Sequence, residues 1–488
     1  MEAAIRSRPF PDLPVNPFDD NVVGDSRKME APTIGVNDAI LLELMQRFGR
    51  LENGPIPRDP TVPQPATLVL SPEGGYGKTH LIGRLFAGLR GRANLIQLRP
   101  FEDVHRPWGE LLVQTVQEMG KADRFGRNDA KLPSQIEVWS LGVLTHLAAD
   151  YLAETQAEAA RQIVSALRRS PLEAVAGIVN DPYWRDWLIQ MCGTYSSKLA
   201  ERLEYRRIDL NGREEVWIQI LFALSFGAEM RERRRAALKW LRGEWLDEIE
   251  QGLLRLKDAD NDMHPGQSQK GLEQRCRERL LGLCKLSGFY RPFIFSVDRT
   301  ELLELDTPLI LNFGRVLERL FAEFPHQFTL LTVNEVYWHN TLGPNMLSLC
   351  RSRIHPPLWL EGVNREEGCL LLKSRLDMWE LDMEIQMAFI DPIWMESIFG
   401  HRDFIPPREL LEAAAVRWRN QGGKTTIQPA TNLEELFQSY LNDVRENPQL
   451  LQFNHDALMW FVRSLGRQVE ARLIREGQVA PDAMSHLE

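Results

Sequence analysis

The chain has 488 residues, of which 43% are hydrophobic and 26% are charged, with a formal net charge of −10. This composition predicts a globular protein with a sizeable core and two or three domains, and the acidic balance argues against a protein that coats nucleic acid. The sequence has no apolar run long enough for a membrane-spanning helix and no apolar core of a secretion signal near its start. We therefore expect a cytoplasmic protein that does not bind membranes.

The N-terminal third of the sequence predicts an arm that is followed by alternating helices and strands. Residues 1–31 are rich in proline and aspartate and predict an extended arm, and a helix is predicted over residues 37–48. Helical segments then separate short apolar runs, which predicts an α/β fold with a parallel sheet, helices on both faces and ligands at the carboxyl ends of the strands. Five runs are predicted to be buried strands, at residues 67–71, 94–98, 293–297, 328–333 and 357–363.

A long interval separates the second and third predicted strands. Residues 126–284 carry mainly helical patterns and predict a helical insertion into the sheet domain. The arginine cluster 231–235 is typical of a solvated face, with contact to a phosphate backbone or an acidic partner as the alternative. Within residues 216–256, six apolar residues recur at helical spacing and are expected in the core: Trp240, Leu241, Trp245, Leu246, Ile249 and Leu253.

The sequence from residue 364 onward predicts only helices. We divide it into an all-helical lid (364–425) and a C-terminal helical tail (426–488). The tail contains more acids than bases and no lysine, which makes it a poor binder of nucleic acid. Its apolar stretch 453–465 is expected to pack on the lid or to dock a partner.

The stretch TLVLSPEGGYGKTHLIGRLF joins a predicted strand to a predicted helix through a glycine-rich turn. It resembles the phosphate-binding motif GxxxxGK[ST], although Pro72 occupies the first glycine position, where a φ of about −65° is tolerable. Glycines let backbone N–H groups converge on phosphate oxygens, and the helix that follows adds its positive end. We predict that Lys78 binds the β- and γ-phosphates of ATP and that Thr79 binds Mg²⁺, the alternative being a chance glycine-rich turn. Further contacts to the nucleotide are expected from Gly74, Gly75, Tyr76, Gly77 and His80.

The third predicted strand ends in an acidic residue. FIFSV precedes Asp298, which is the pattern of a Walker B strand, so Asp298 is the predicted metal-side carboxylate, with a helix N-cap as the alternative. Many such ATPases place a water-activating glutamate directly after this aspartate, but here that position is Arg299. Glu301 is therefore the predicted general base, and a solvated first-turn glutamate is the alternative.

The order of these motifs resembles the AAA+ ATPases, in particular their replication-initiator-like and STAND-like branch in prokaryotes. The resemblance covers residues 16–420 without the insertion, and it implies a P-loop NTPase domain over residues 32–363. Residues 32–40, which include Gly35, are similar to the family's segment that packs on adenine. Asn334, at the end of FTLLTVN, is similar to the first sensor residue, a polar group between the Walker B carboxylate and the γ-phosphate.

The resemblance also implies roles for arginines. Arg408, in GHRDFIPPRELL, is similar to the second sensor, which binds the γ-phosphate of its own subunit. Arg353, or else Arg351, would act on the nucleotide of a neighbouring subunit. The alternative for these residues, and for Arg402, is an ordinary solvated arginine near a helix end.

The function implied is an ATPase that couples the binding and hydrolysis of Mg-ATP to assembly or remodelling. It would act as a homo-oligomer with a protein effector or partner subunit, and the pattern ALKWLRGEWLDEIEQGLLRL is similar to ATPases of bacterial phage-defence operons, which implies antiviral defence. The residue Arg299 favours an alternative, a nucleotide-gated scaffold that hydrolyses little ATP and recruits an effector. A DNA-loading initiator is a further alternative, which the acidic tail disfavours. A small-molecule kinase is disfavoured because nothing in the lid suggests an acceptor pocket.

Overall fold

The computed structural model divides the chain into two compact units, one of Pro17–Val416 and the other of Met1–Asn16 with Arg417–Glu488. Nearly all of the predicted arm (1–31) and all of the predicted tail (426–488) lie outside the residues that the structure describes. The described residues are 16–19, 26, 35–53, 66–123, 133–155, 158–225, 231–257, 261, 263, 266–303, 306–346, 354–379 and 381–420.

Five parallel strands form one sheet in the order β2-β3-β4-β1-β5, which confirms the predicted α/β fold with a parallel sheet. β1 to β4 are buried along almost their whole length. Burial on both faces explains why these four strands have nearly continuous apolar sequences. The strands are β1 (Ala66–Ser71), β2 (Asn94–Leu98), β3 (Phe293–Val297), β4 (Gln327–Asn334) and β5 (Ile354–Trp359).

The prediction of a buried strand over residues 357–363 was wrong in its burial and its bounds. β5 runs from Ile354 to Trp359, pairs with β1 at the end of the sheet order and is partly exposed. Its pairing with β1 shifts register between Thr67 and Val69, opposite Pro356 and Pro357. Proline has no N–H to donate, so two adjacent prolines are tolerated in an edge strand at a bulge.

Helices surround the sheet. α2 links β1 to β2, α3 to α12 lie between β2 and β3, and α13 links β3 to β4. Short 3₁₀ turns at Ser287–Phe289 and Thr300–Leu303 flank β3, and a π-helical turn, Trp338–Leu342, joins α14 to α15. None of the described helices is long and apolar enough to cross a membrane. The helices are α1 (Asp38–Glu52), α2 (Lys78–Leu89), α3 (Pro107–Gly120), α4 (Gln135–Thr155), α5 (Glu158–Arg169), α6 (Pro171–Asn180), α7 (Pro182–Thr194), α8 (Ser196–Tyr205), α9 (Glu214–Ser225), α10 (Arg231–Leu241), α11 (Glu248–Leu254), α12 (Gln269–Leu286), α13 (Thr307–Glu323), α14 (Glu335–Tyr337), α15 (Gly343–Asn345), α16 (Arg365–Asp377), α17 (Met383–Phe389), α18 (Pro392–Phe399) and α19 (Pro407–Asn420).

The two faces of the sheet contribute to two apolar clusters. Phe293 and Phe295 of β3 belong to the cluster that contains the buried side chains of α4, α9 and α12, whereas Ile294 belongs to the cluster formed with α1 and α2. This division follows from the alternation of side chains along a strand. The helices between β2 and β3 therefore share one continuous core with the sheet.

One expectation for these helices fails because the helical spacing is interrupted. α10 ends at Leu241 and α11 begins at Glu248, with Gly243 in the turn at a φ of 79°. Trp240, Leu241 and Leu246 are buried as expected, but Trp245 is 38% exposed and Ile249 is 76% exposed. Because the turn interrupts the helix, residues before and after it do not follow one helical periodicity. Residues that this periodicity assigned to the buried face are therefore exposed.

The arginine cluster 231–235 is only partly solvated. Arg233 donates a hydrogen bond to Gln219 at 2.8 Å and its guanidinium lies 4.9 Å from the ring centre of Phe222. Arg234 pairs with Glu137 at 3.4 Å. Two of the cationic side chains thus stabilise the packing of α10 on the neighbouring helices, and this reduces the charge that the cluster can offer to a phosphate backbone.

The close contact between α4 and the segment that precedes β3 generates a stability prediction. A Cβ atom at Gly142 would lie within 2.5 Å of Cε1 of the buried Tyr290 ring, so the ring would have to move. We expect Gly142→Ala to destabilise the protein by about 1–3 kcal/mol through overpacking, seen as a lower midpoint of thermal unfolding. In the matched variant Gly177→Ala the new methyl group meets nothing within 4 Å, so the midpoint should stay or rise slightly. Equal midpoints for Gly142→Ala and the wild type would contradict this packing.

Candidate functional site

The glycine loop (residues 72–77) connects β1 to α2 at the carboxyl end of the strand. Gly75 and Gly77 have φ values of 94° and 88°, a conformation that glycine adopts without strain. α2 begins at Lys78, and its N-cap residue is Gly77, which has no side chain to cap the first turn. The N–H groups of the first turn have no intrahelical partner, so the loop and the helix together offer backbone donors to an anion.

Lys78 is 7% exposed and lies at the ends of two neighbouring strands. Its ammonium group donates hydrogen bonds to Ser71 Oγ at 2.9 Å, to the carbonyl oxygen of Glu73 at 3.3 Å and to Asn334 Oδ1. Ser71 and Asn334 are directly paired residues of β1 and β4. The sheet register therefore brings the predicted lysine and the predicted Asn334 together.

The charges around Lys78 come from residues far apart in the sequence. Burial lowers the pKa of Lys78, the positive charge of Arg408 lowers it further, and the carboxylates of Glu301 and Asp298 oppose both effects. All four predicted side chains are thus close enough to interact electrostatically. An anion beside Lys78 would stabilise the ammonium form, because it adds negative charge where water has been removed.

Asp298 follows β3 directly and is 2% exposed. Thr79 donates a hydrogen bond from its hydroxyl to Asp298 Oδ2 at 2.8 Å, and Thr332 of β4 donates to Oδ1 at 2.8 Å. Hydroxyl and carboxylate oxygens suit a hard cation such as Mg²⁺. The part of the chain that the structure describes contains no group of three or more His, Cys, Asp or Glu side chains suited to a metal, so a cation here would need water or phosphate as further ligands.

Several buried polar atoms beside the glycine loop and after β3 and β4 have no hydrogen-bond partner in the described part of the chain. A buried donor or acceptor without a partner costs about 1–3 kcal/mol, so such atoms are uncommon unless a ligand or water completes them. Among the described residues, such atoms beside the glycine loop are Asn37 Nδ2, His80 Nε2 and Arg408 Nε. The segments that follow β3 and β4 add Thr300 Oγ1, Glu301 Oε2 and Tyr337 OH.

The segment before α1 lies against the glycine loop. Gly35, at a φ of 102°, donates its N–H to Asp38 Oδ2 at 3.1 Å, and the other Asp38 oxygen accepts a hydrogen bond from Arg84 of α2 at 2.5 Å. Asn37 Nδ2 lies 3.6 Å from the position that a Cβ atom would occupy if Gly77 carried a side chain. These contacts fix residues 35–38 beside the N-terminal half of α2, where Gly35 was predicted to contact the nucleotide.

Two further residues that were predicted to contact the nucleotide differ in their surroundings. Tyr76 packs against the apolar cluster of α1 and α2, and burial raises its pKa. His80 is the third residue of α2 and presents its unpaired Nε2 to the protein interior. The imidazole of His80 is therefore a candidate for a ligand contact, whereas the ring of Tyr76 is engaged in packing.

The predicted lid contacts the glycine loop through the start of α19. The N–H of Arg408 donates to the carbonyl oxygen of Gly75 at 3.3 Å, and a Cβ atom on Gly75 would lie 3.1 Å from Cβ of Arg408. Arg402, in contrast, forms an ion pair with Glu409 at 2.6 Å. Of the arginines considered from the sequence, Arg408 thus reaches the loop, and Arg351 and Arg353 lie outside the described residues.

The sequence interpretation missed several residues of this site. Ser71 and Thr332 lie at or near the ends of two strands, and a polar residue at that position of an apolar run is a signal that could have indicated them. Asn37, with a left-handed φ of 58°, lies within the predicted adenine segment 32–40 but was not itself predicted to contact a ligand. Tyr337 carries no comparable sequence signal, because its position depends on tertiary packing.

Comparison of the chain with protein-family models, with curated proteins and with solved structures finds no match. The function is therefore inferred from the geometry of the site.

His80 generates a prediction about acid stability. Burial lowers its pKa from 6.5 to about 4, with the charges of Arg84 and Arg375 acting in the same direction. The unfolded chain then binds more protons between these two pH values, so stability falls as the pH falls through this window. We expect His80→Gln to reduce that loss by about 2 kcal/mol, measured as a flatter pH dependence of the thermal midpoint. His105→Gln changes an exposed histidine and should keep the wild-type slope; identical slopes in both variants would contradict the assignment.

Proposed function

We propose that this chain is an AAA+-type P-loop ATPase that binds Mg-ATP and hydrolyses it to drive assembly or remodelling in a multi-protein bacterial system. The observation that carries the proposal is the hydrogen bond of 2.8 Å between Thr79 and Asp298, beside the buried Lys78. A chance glycine-rich turn needs no carboxylate from a distant strand next to its threonine. A nucleotide site needs such a carboxylate, because the metal is held by the threonine hydroxyl and by the Walker B aspartate.

Different groups of the chain bind different parts of Mg-ATP. The backbone N–H groups of the glycine loop cradle the phosphates, and Lys78 binds the β- and γ-phosphate oxygens. Thr79 and Asp298 would hold Mg²⁺, which supplies charge neutralisation between the phosphates when bound. The AAA+ resemblance implies adenine beside residues 35–38, and the unpaired amide of Asn37 supports a polar contact there.

Hydrolysis is an in-line attack by water on the γ-phosphorus, in which the bond to the β-phosphate oxygen breaks. Glu301 accepts the proton of the water, and the interaction of its carboxylate with the charge of Lys78 supports this role. Lys78 and Arg408 stabilise the negative charge of the transferred group. Asn334 ends β4, which lies between β1 and β3, and this position supports a sensor between Lys78 and Asp298.

The remaining parts of the proposal concern partners. An arginine that acts in trans, Arg353 or Arg351, requires a homo-oligomer. ATP hydrolysis would drive the assembly or remodelling of an effector or partner subunit. Cytoplasmic location and a role in phage defence belong to this proposal as well. Nucleic acid is a weaker candidate partner, because Arg233 and Arg234 of the basic cluster are engaged within the protein.

A second candidate function is a nucleotide-gated scaffold with little hydrolysis. The observation that favours it is Arg299, which follows Asp298 directly at a φ of 59°, where many such ATPases have their catalytic glutamate. Glu301 lies instead in the 3₁₀ turn Thr300–Leu303. The two functions share the nucleotide site and differ in the turnover of bound ATP.

Replacement of Lys78 tests the nucleotide site. Lys78→Ala removes the cation that neutralises the β- and γ-phosphates, so ATP binding measured by calorimetry should be abolished. Lys198→Ala removes an exposed lysine that pairs with Glu201 on α8 and should leave ATP binding at the wild-type level. Equal ATP affinities of the two variants would refute the site.

Replacement of Glu301 separates the two candidate functions. Glu301→Gln keeps the shape of the side chain and removes the base, so ATP affinity should persist while phosphate release falls by about 10²- to 10⁴-fold. Glu232→Gln, an exposed change on α10, serves as the control and should keep wild-type turnover. Unchanged turnover in Glu301→Gln would place the base elsewhere, and tight ATP binding without turnover in the wild type would favour the scaffold.

A further inference from the structure

One guanidinium group holds the segment that precedes α1. Arg84 is buried on α2 and donates hydrogen bonds from Nη1 to the carbonyl oxygen of Val36 and from Nη2 to Asp38 Oδ1 at 2.5 Å. The second oxygen of Asp38 accepts the N–H of Gly35 at 3.1 Å. Because the guanidinium is planar and its donors point in fixed directions, the two bonds from Arg84 define a single geometry. They fix the residues on either side of Asn37.

Asn37 lies between these two anchors in a left-handed conformation, with a φ of 58°. It is the N-cap residue of α1, but its side chain forms no capping hydrogen bond. Its Nδ2 lies instead next to Gly77, 3.6 Å from the position that a Cβ atom would occupy there. A residue other than glycine keeps such a conformation where the surrounding structure fixes it. The bonds from Arg84 supply this constraint and hold Asn37 beside the glycine loop.

The helix α16 contacts the same segment from another side. Gly35 has a φ of 102°, and a Cβ atom at this position would lie 2.8 Å from Cδ1 of Leu370 on α16. Leu370 is 48% exposed, so it also offers apolar surface beside the segment. Polar backbone and an apolar side chain thus adjoin the phosphate-binding loop. A nucleoside, which has polar edges and apolar faces, can contact both.

We propose that Arg84 is a positioning residue of the nucleotide site, which holds residues 35–38 in the conformation that binds the nucleoside part of ATP. This inference rests on the proposed binding of ATP. Arg84 contacts no ligand and acts through Val36 and Asp38. Ordering the backbone of one residue upon binding corresponds to a loss of about tenfold in affinity, so a segment that is ordered beforehand binds more tightly.

A second arginine joins α1 to the end of α2 and provides a matched control. Arg92 follows α2 and donates to the carboxylate of Glu52, from Nε to Oε1 at 2.9 Å and from Nη2 to Oε2. Glu52 is the last residue of α1, so this ion pair lies at the end of the helix that is remote from residues 35–38. Comparison of the two arginines therefore separates the packing of the helices from the positioning of the segment.

The variant Arg84→Met removes both hydrogen bonds and keeps a long side chain. We expect its affinity for ATP to fall about 10-fold or more, while its affinity for inorganic tripolyphosphate stays within about twofold, because Lys78 and Thr79 are unchanged. Calorimetry with each ligand in the presence of Mg²⁺ measures both affinities. Arg92→Met should keep the wild-type affinity for both ligands. Arg84→Lys can form one of the two bonds but not the fork, so it should recover part of the affinity for ATP.

A double variant tests whether Arg84 acts through Asp38. The side chain of Asp38 is half exposed, so its replacement disturbs the core less than replacement of Arg84. Asp38→Ala should also lower the affinity for ATP and leave that for tripolyphosphate within about twofold. Addition of Arg84→Met to Asp38→Ala should cost little beyond the larger single loss. Losses that multiply would indicate independent roles and overturn the inference.

The remaining outcomes separate this inference from the proposed function. An ATP affinity of Arg84→Met within twofold of the wild type would overturn the role of Arg84. An equal loss of affinity for tripolyphosphate, or an equal loss in Arg92→Met, would also overturn it, since either indicates a general structural defect. A wild type that binds ATP no more tightly than tripolyphosphate would overturn the inference and leave the phosphate site intact. A wild type that binds neither ligand would overturn the proposed function as well.

Discussion

The ammonium group of Lys78 is removed from water at the point where two parallel strands end, and the site is organised around this buried charge. An ammonium without partners is costly to bury, so Ser71, Glu73 and Asn334 surround it with oxygen acceptors. These partners exist only while β1 and β4 keep their register, with Ser71 opposite Asn334. The charge therefore ties the conformation of the glycine loop to the pairing of the strands. An anion placed beside it would strengthen an arrangement that the sheet already provides.

The sequence was informative about the buried strands and about candidate residues that lie near their carboxyl ends. The apolar runs of β1 to β4 predicted the sheet. Lys78 was predicted from the glycine-rich motif after β1, Asp298 from its place directly after β3, and Asn334 from the resemblance at the end of β4. The carboxyl ends of parallel strands lie at one edge of the sheet. Local sequence patterns at the strand ends were therefore enough to predict that these residues lie close together. The bounds and burial of β5 were predicted less well, since its prolines place it at the edge of the sheet.

Other features depend on interruptions that composition does not reveal. The turn between α10 and α11 resets the helical phase, and so Trp245 and Ile249 are exposed although their spacing suggested core positions. Asn37 enters the site through a left-handed backbone conformation, and Tyr337 enters it through the packing of α14 on the sheet. The resemblance over residues 32–40 predicted a nucleotide contact by this segment but not the conformation of Asn37, and the sequence contains no signal for Tyr337. Both arrangements arise from contacts between segments that are distant along the chain.

β3 joins the site to the helices between β2 and β3. Phe293 and Phe295 pack in the same cluster as those helices, and the same strand ends in Asp298 and leads to Glu301. Because protein interiors are close-packed, the contact of Phe295 with those helices fixes the position of the strand that Asp298 follows. On the opposite side, the hydrogen bond from Arg408 to Gly75 connects α19 to the glycine loop. Two peripheral parts of Pro17–Val416, the helices between β2 and β3 and the start of α19, thus reach the site through β3 and through the glycine loop.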